Sequence, residues 1–492
     1  MKKISLLFTG ILFTTVLFAQ LNFEKKFYAN DEYSTNRLVK SENDNYYGYS
    51  DNEAGTHAYF YIFDSDLKNT VRKAIFEPYP YHIGFYDNKN ETVHLYGDQG
   101  RIYKQIYSED DKKVNKVKTK FLADGILKGN IYYSINPSTI ASLGSGKSWF
   151  SGSKVDIVNE TIEKEFEDKE NKHKMTDYLD CKLFQLNNGN LLLFLKERLG
   201  KESSVSPRPD GFTVQLYDDN LNLISSKSEK NEIWYSTYAG LELVRNSKPD
   251  EDNLLLWARD VKTNKMTIFN INVKSNKIEI TENKIKDKDI TTSYLDENMN
   301  KEGYDDIFKF LVTNMPEDKY QENPGESYFL DSAYTLGDKT YVNYHLHQNI
   351  KGKVSGEIFM TGIFVLNEDG LLTENLAVDM SFKDVKTKKD ETPLDNGVQL
   401  LYPFYSNNKI VYVYTQNLKL KGFVIEAGKE VITLEDIEID LPKEARPNNP
   451  WESFSIIPMS HNSFVLQAKH RKPYPDGTFV YKKSNYTFYT IE

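Results

Sequence analysis

The amino-acid sequence predicts an all-β chain built from a four-stranded antiparallel unit repeated in series. Three observations carry that expectation. Aromatic residues make up 13% of the chain, with 34 Tyr and 28 Phe, side chains that favour half-buried pleated surfaces. Long stretches of helical periodicity are nearly absent. A tight turn of one chemistry recurs along the chain, and each copy releases a strongly apolar strand.

The turns come in order. Asp44-Asn45 precedes YYGYS, Lys89-Asn90 precedes ETVHLY, Gly129-Asn130 precedes IYYSI, and Gly189-Asn190 precedes LLLFL. Asp252-Asn253 precedes LLLWA, Gly337-Asp338 precedes KTYVNY, Asn407-Asn408 precedes KIVYVY, and His461-Asn462 precedes SFVLQ. Asn, Asp and Gly tolerate the left-handed backbone of a short hairpin loop, so each copy marks a hairpin. Short apolar strands such as KLFQL and LELVR precede the turns, and a second hairpin follows, as in YFYIFDSDLKN from Tyr59, FTVQLYDDNLN from Phe212, MTIFNINVKSNKIEI from Met266 and TGIFVLNEDGLL from Thr361.

Four-stranded units spaced roughly 40 to 90 residues apart suit propeller blades better than the shorter periods of solenoids. The expected fold is therefore a single β-propeller of about eight blades, with seven as the alternative count. The unit near Gly129 and the long interval between residues 253 and 338 are what leave that alternative open. The last unit runs out after its third strand, SNYTFYTIE, while LNFEKKFYA near the N-terminus has no partner of its own. Pairing these two segments closes the ring and removes an open edge. Tandem β-sandwiches are the competing architecture, but they do not require one turn type at the same place in every unit. In its hairpin repeat and apparent closure the chain resembles secreted β-propeller repeat proteins as a broad class, which implies a binding or an enzymatic role without choosing between them.

Residues 1–19 read as a signal peptide: Met1-Lys2-Lys3, an apolar stretch from Ile4 to Phe18, then Ala19. The stretch is short for a bilayer span, which needs about 20 apolar residues, so export with cleavage near Ala19 is expected, leaving residues 20–492 as the propeller domain. No later segment is apolar enough for membrane insertion. The 62 basic and 72 acidic residues give a net charge of −10, which becomes about −12 once Lys2 and Lys3 are removed. That charge speaks against nucleic acid as a partner. Cys181 is the single cysteine and rules out an internal disulfide; its strand-like setting, DCKLFQL, reads as apolar packing.

A polar stretch at about 286–326 interrupts the pattern and contains DDIFKFLVTN, in which Ile307, Phe308, Leu311 and Val312 share a helical face. Asp305 is expected to cap that helix and Pro316 to stop it. Packing on the rim is the favoured role, ahead of partner docking. The charge-rich segments from Glu165 and from Ser381 read as solvated loops.

No catalytic or metal motif survives inspection. ASLGSGKS at Ala141 to Ser148 imitates a phosphate loop, but the residues after it are β-like and no helix follows to aim N–H groups at a phosphate. The same stretch, Ser142-x-Gly144-x-Gly146-x-Ser148-Trp149, resembles the Asp-box turn of sialidase-type propellers, with Gly144 in place of the defining Asp. That likeness implies a structural turn. A sialidase would also need an arginine cluster, for which Arg37, Arg72, Arg101 and Arg259 are the available residues. His345 and His347 share one face of a strand, without a recognisable third ligand. Asp296, Asn298 and Asn300 imitate the start of a calcium loop, but Lys301 stands where Gly is needed and Ile307 where Glu is needed. No cofactor is expected.

Aromatics gather where one unit hands over to the next, and Tyr79, Tyr81, Trp234, Tyr235, Tyr402 and Trp451 are the candidate binding residues. Wedging between blades as core is the alternative role. The expected function is a non-enzymatic exported propeller that offers this face to an envelope or extracellular protein or to a glycan. A propeller-fold hydrolase acting on a glycan and a structural component of an envelope assembly are the alternatives.

Overall fold

A computed structural model describes strands and turns between Leu21 and Ile491; residues 1–20 and several connections, the longest being 199–209, 309–327, 385–400 and 440–451, lie outside the described residues. The chain is all-β and folds as successive four-stranded antiparallel meanders, the architecture of a β-propeller. The first meander runs Arg37–Lys40, Tyr46–Asp51, Ala58–Phe63, Asn69–Ile75, each strand paired with the next. Seven further units follow among the described residues, at 81–122, 126–167, 178–234, 241–284, 328–384, 402–438 and 452–491.

Continuous apolar runs become second strands because each such strand is covered on both faces. In Leu191–Arg198, Leu191, Leu193 and Leu195 pack toward Tyr133, Ile135 and Phe150 of the third unit. Their neighbours Leu192 and Phe194 pack toward Leu254, Leu256 and Phe269 of the fifth. The period-two alternation of a strand thus assigns successive residues to different neighbouring sheets. In Lys409–Gln416, Ile410, Tyr412 and Tyr414 face the sixth unit, and Val411 and Val413 face the eighth. Outer strands are wetter: Thr161–Glu167 has no buried residue.

Every consecutive pair of units shares a core of this kind. The last unit also shares one with the first, where Ile457, Val465, Tyr486 and Phe488 meet Tyr46, Tyr61 and Phe63. The eighth unit draws three strands from the C-terminal region, and its fourth partner is Leu21–Ala29, antiparallel to Phe479–Ile491 with Leu21 opposite Ile491 and Phe27 opposite Tyr486.

The turns follow their residue types. Gly129, Gly189, Gly337 and Asn408 have φ of +57°, +90°, +67° and +58°, the left-handed region that Gly and Asn enter most readily. Ser275 and Asn276, at φ +49° and +63°, close the outer hairpin of the fifth unit with two consecutive left-handed residues. Asp44-Asn45 and Lys89-Asn90 lie outside the described residues.

One turn assignment is corrected. Asp252 and Asn253 belong to the strand Glu251–Asp260, where Asn253 pairs with Val244 on one side and Asn272 on the other. Asp252 is buried, and its carboxylate accepts the Asn187 N–H at 3.2 Å from each oxygen. Its polar group therefore serves the neighbouring unit's turn instead of forming its own.

The long interval after residue 253 contains the rest of one complete unit, then an insertion. Thr291–Tyr294 in that insertion adds a parallel strand outside Leu372–Asp384, covering the outer edge of the sixth unit. Lys301, Tyr304, Asp305 and Phe308 are helical, and Tyr304 and Phe308, four apart, are buried in the core between the fifth and sixth units. The helix thus begins before Asp305, which corrects the capping assignment; the Asp305 carboxylate instead accepts the Tyr294 hydroxyl proton. Units four to six are further linked into one 13-stranded sheet, by Ile233 opposite Asp260, Trp234 opposite Arg259, and parallel pairing of Val244 with Ala333.

Candidate functional site

A four-stranded meander is entered and left at the same end, so the crossings between successive units lie at that end and the turns between first and second strands at the other. Tyr81 opens the first strand of the second unit, Trp234 closes the fourth strand of the fourth, and Tyr402 opens the first strand of the seventh. Trp451 immediately precedes Glu452–Ser460 in sequence, Tyr79 precedes Tyr81–Asn88 by two residues, and Tyr235 follows Trp234. Only Tyr402 among the six has a described side chain; it is half-buried against the core of the seventh and eighth units.

Other flagged residues are placed by the sheets. His345 is half-buried, its Nδ1 2.9 Å from the Thr361 hydroxyl across the strand pair, which gives the imidazole a structural partner. Among the described residues no group of three His, Cys, Asp or Glu stands close enough to hold a metal ion. Cys181 is partly buried against the core of the third and fourth units. Lys147–Asp156 is a strand, so no helix follows the phosphate-loop imitation, whose residues 141–146 lie outside the described residues together with the calcium-loop imitation at 296–300. Arg37 is on a first strand, Arg259 on a second, Arg101 on a third and Arg72 on a fourth. Such positions stand at different depths of their sheets. No described helix is long and apolar enough to cross a membrane.

Three polar clusters, two between sheets and one within a sheet, were not singled out by the sequence. Between the first and second units, His82 Nδ1 lies 3.2 Å from His94 Nε2, and the His94 ring stacks on Phe60 at 5.5 Å and on Phe85 at 4.7 Å. Burial, then the neighbouring His82, holds the His94 imidazole well below the usual histidine range, with the Gln105 side chain working the other way.

Between the fifth and sixth units, the Tyr304 and Tyr344 hydroxyls bond each other, Tyr344 donates to Asn375 Oδ1 at 3.0 Å, and Asn375 Nδ2 donates to Tyr304 at 3.0 Å. Burial pushes the Tyr304 phenol up to about 12, so it stays a neutral donor. In the fourth unit, buried Glu197 accepts from Thr213 and pairs with Lys230, while Thr213 also meets the Ser228 hydroxyl. The second and third clusters are closed by their own members and read as ties between and within sheets, whereas in the first His94 Nδ1 and the Gln105 amide are buried without a hydrogen-bond partner among the described residues. One cue was legible for the first: His94 interrupts the apolar run ETVHLY at a position where a second strand is covered on both faces.

No family model matches the sequence, and no curated protein matches it. Among solved structures the chain is similar to the Dos1 propeller, at 7% identity and TM-score 0.41 over 96% of this chain and 95% of that one. It is similar to the Nup133 β-propeller domain of Vanderwaltozyma polyspora, at 11% identity and TM-score 0.33 over 95% of this chain and 99% of that one. It is also similar to prolyl oligopeptidase B from Galerina marginata, at 8% identity and TM-score 0.37, where the match covers 89% of this chain and 56% of that one. At TM-scores this low the likenesses carry no argument; the architecture rests on the strand pairing and shared cores.

Proposed function

We propose that the eight meanders are the blades of one closed ring, exported after removal of residues 1–19, that works without catalysis by presenting its crossing face to a protein partner or a glycan. One observation carries this reading. Because each meander returns to the end where it began, the strand ends at Tyr81, Trp234 and Tyr402 are crossing ends, and Tyr79, Tyr235 and Trp451 neighbour such ends in sequence. Aromatic rings at such an end stack on sugar faces or anchor a protein partner, with large contact area and little rotamer entropy lost.

The test is the melting temperature of residues 20–492 against a panel of glycans and cell-wall fragments, since a ligand that binds only the folded state must raise it. A shift abolished by Trp234→Ala or Trp451→Ala, with the unliganded melt nearly unchanged, is the expected result for a glycan binder. If no glycan shifts the melt, a protein partner is expected, recovered by crosslinking in the cell envelope. Loss of several kcal/mol from either variant makes these tryptophans core residues and contradicts the reading. Turnover of a glycan in the panel would favour the hydrolase alternative.

A further inference from the structure

The interface between the first and second units holds a histidine pair, which the core between the fourth and fifth units does not. The core between the fourth and fifth units is built from residues such as Leu192, Leu254, Leu256 and Ile271. Between the first and second, a fully buried imidazole, His94, sits among Tyr49 at 5.0 Å, Phe60, Phe85 and Tyr96 at 5.6 Å, in hydrogen-bond contact with His82. Tyr49 and Phe60 come from the first unit, and His82, Phe85 and Tyr96 from the second, so the histidine pair sits on the seam where the two sheets meet.

We propose that His82 and His94 form an acid-sensitive latch between the first two units, closed while both rings are neutral and released when they take up protons. In the neutral pair one ring nitrogen donates and the other accepts across 3.2 Å. One added proton leaves an imidazolium buried among aromatic rings; a second leaves two donors facing each other.

The groups packed around His94 offer little compensation. The first unit presents Tyr49 and Phe60, the first strand of the second unit presents His82 and Phe85, the second strand carries Tyr96 beside His94 itself, and the third strand contributes the Gln105 amide. Beyond Tyr96 lies Tyr103, with Lys116 and Lys118 over its ring, and these charges are of the wrong sign to hold an imidazolium. The Lys104–Glu160 pair, at 2.6 Å, ties the second unit to the third and does not enter this interface. No carboxylate is among the groups that shift the His94 imidazole.

The sign follows from linkage. A histidine kept neutral when closed, but titrating near 6.5 when opened, favours the opened form as pH falls below that value. The His94 ring alone raises the opening equilibrium about tenfold between pH 7.5 and 5.5. The latch does not depend on the proposed binding role.

Hydrogen exchange of the full chain, corrected for intrinsic rates, tests it. Peptides spanning 46–51 and 91–98 are expected to lose about tenfold or more in protection from pH 7.5 to 5.5, while 409–416 holds its protection. In His94→Phe, which keeps a stacked ring and removes the titrating group, the difference is expected to vanish. Uniform loss across all strands, no loss at all, or a pH response that persists in His94→Phe would overturn the proposal. If His94→Phe does not fold, the contrast between 46–51 or 91–98 and 409–416 in the natural chain decides alone.

Discussion

At Asp252 a carboxylate is taken out of water to fasten one unit to the next. Burial pushes its pKa above the ordinary value, and the Asn187 N–H that it accepts offsets only part of that rise. A raised carboxyl pKa means that the folded state holds its proton more tightly than the unfolded chain. Its contribution is therefore favourable below the unfolded value of about 3.9 and is lost as pH rises through the folded value. At neutral pH the charge is a cost. Asp252→Asn keeps an acceptor for the Asn187 N–H, and is expected to raise the melting temperature at pH 7 but not at pH 3.5; a lower melt at pH 7 would contradict the assignment. At this scale legibility is uneven. The left-handed residues at Gly129, Gly189, Gly337 and Asn408 were readable because Gly and Asn relieve a local steric cost. Asp252 was misread because the same residue type also serves as a buried acceptor for a neighbour 65 residues away, a partner that local chemistry does not reveal.

The insertion after the fifth unit acts at the scale of the element. Its strand Thr291–Tyr294 covers the outer edge of the sixth unit, and its helical residues fill the gap between two sheets. Phe308 stacks on Tyr304 at 6.0 Å and approaches Phe364 at 6.1 Å, beside the Trp257 and Phe364 stack at 4.6 Å. Phe308→Ala is expected to cost about 3 kcal/mol, as a large-to-small change in a packed core, measured by urea unfolding; a change of less than about 0.5 kcal/mol would make the helix a loosely held appendage. Phe308 was legible as a packing residue, but it is buried between two sheets with Tyr304, which was not singled out, while Ile307, Leu311 and Val312 lie outside the described residues. The parallel edge strand was not legible, because a four-residue strand that pairs with residues some 80 positions later leaves no periodic trace in the sequence.

Across the whole molecule, four-stranded meanders follow one another along the chain, and their second strands bury alternate residues against different neighbours. The repeated four-stranded unit was legible from turn chemistry and apolar runs; the alternate burial of second strands against two neighbours was not singled out. The aromatic crossings were legible as a cluster in sequence, but at Tyr402 the described side chain leans on a core, so exposure is what sequence composition could not assign. The central claim is that the sheets form one ring closed by the two ends of the chain, with Leu21–Ala29 as the outer strand of the last blade.

The most direct measurement is disulfide formation between Asn22→Cys and Thr490→Cys, positions that face each other across that strand pair, in a Cys181→Ser background. Antiparallel partners stand at a separation that a disulfide can bridge. A Lys409→Cys and Glu426→Cys pair, opposite one another within a single blade, serves as the control. Closure predicts that both pairs oxidise readily in the folded protein, that the Asn22→Cys and Thr490→Cys chain migrates as a covalent circle, and that its melt rises. Free thiols at 22 and 490 under conditions that oxidise the control would contradict it, and the ring would be open.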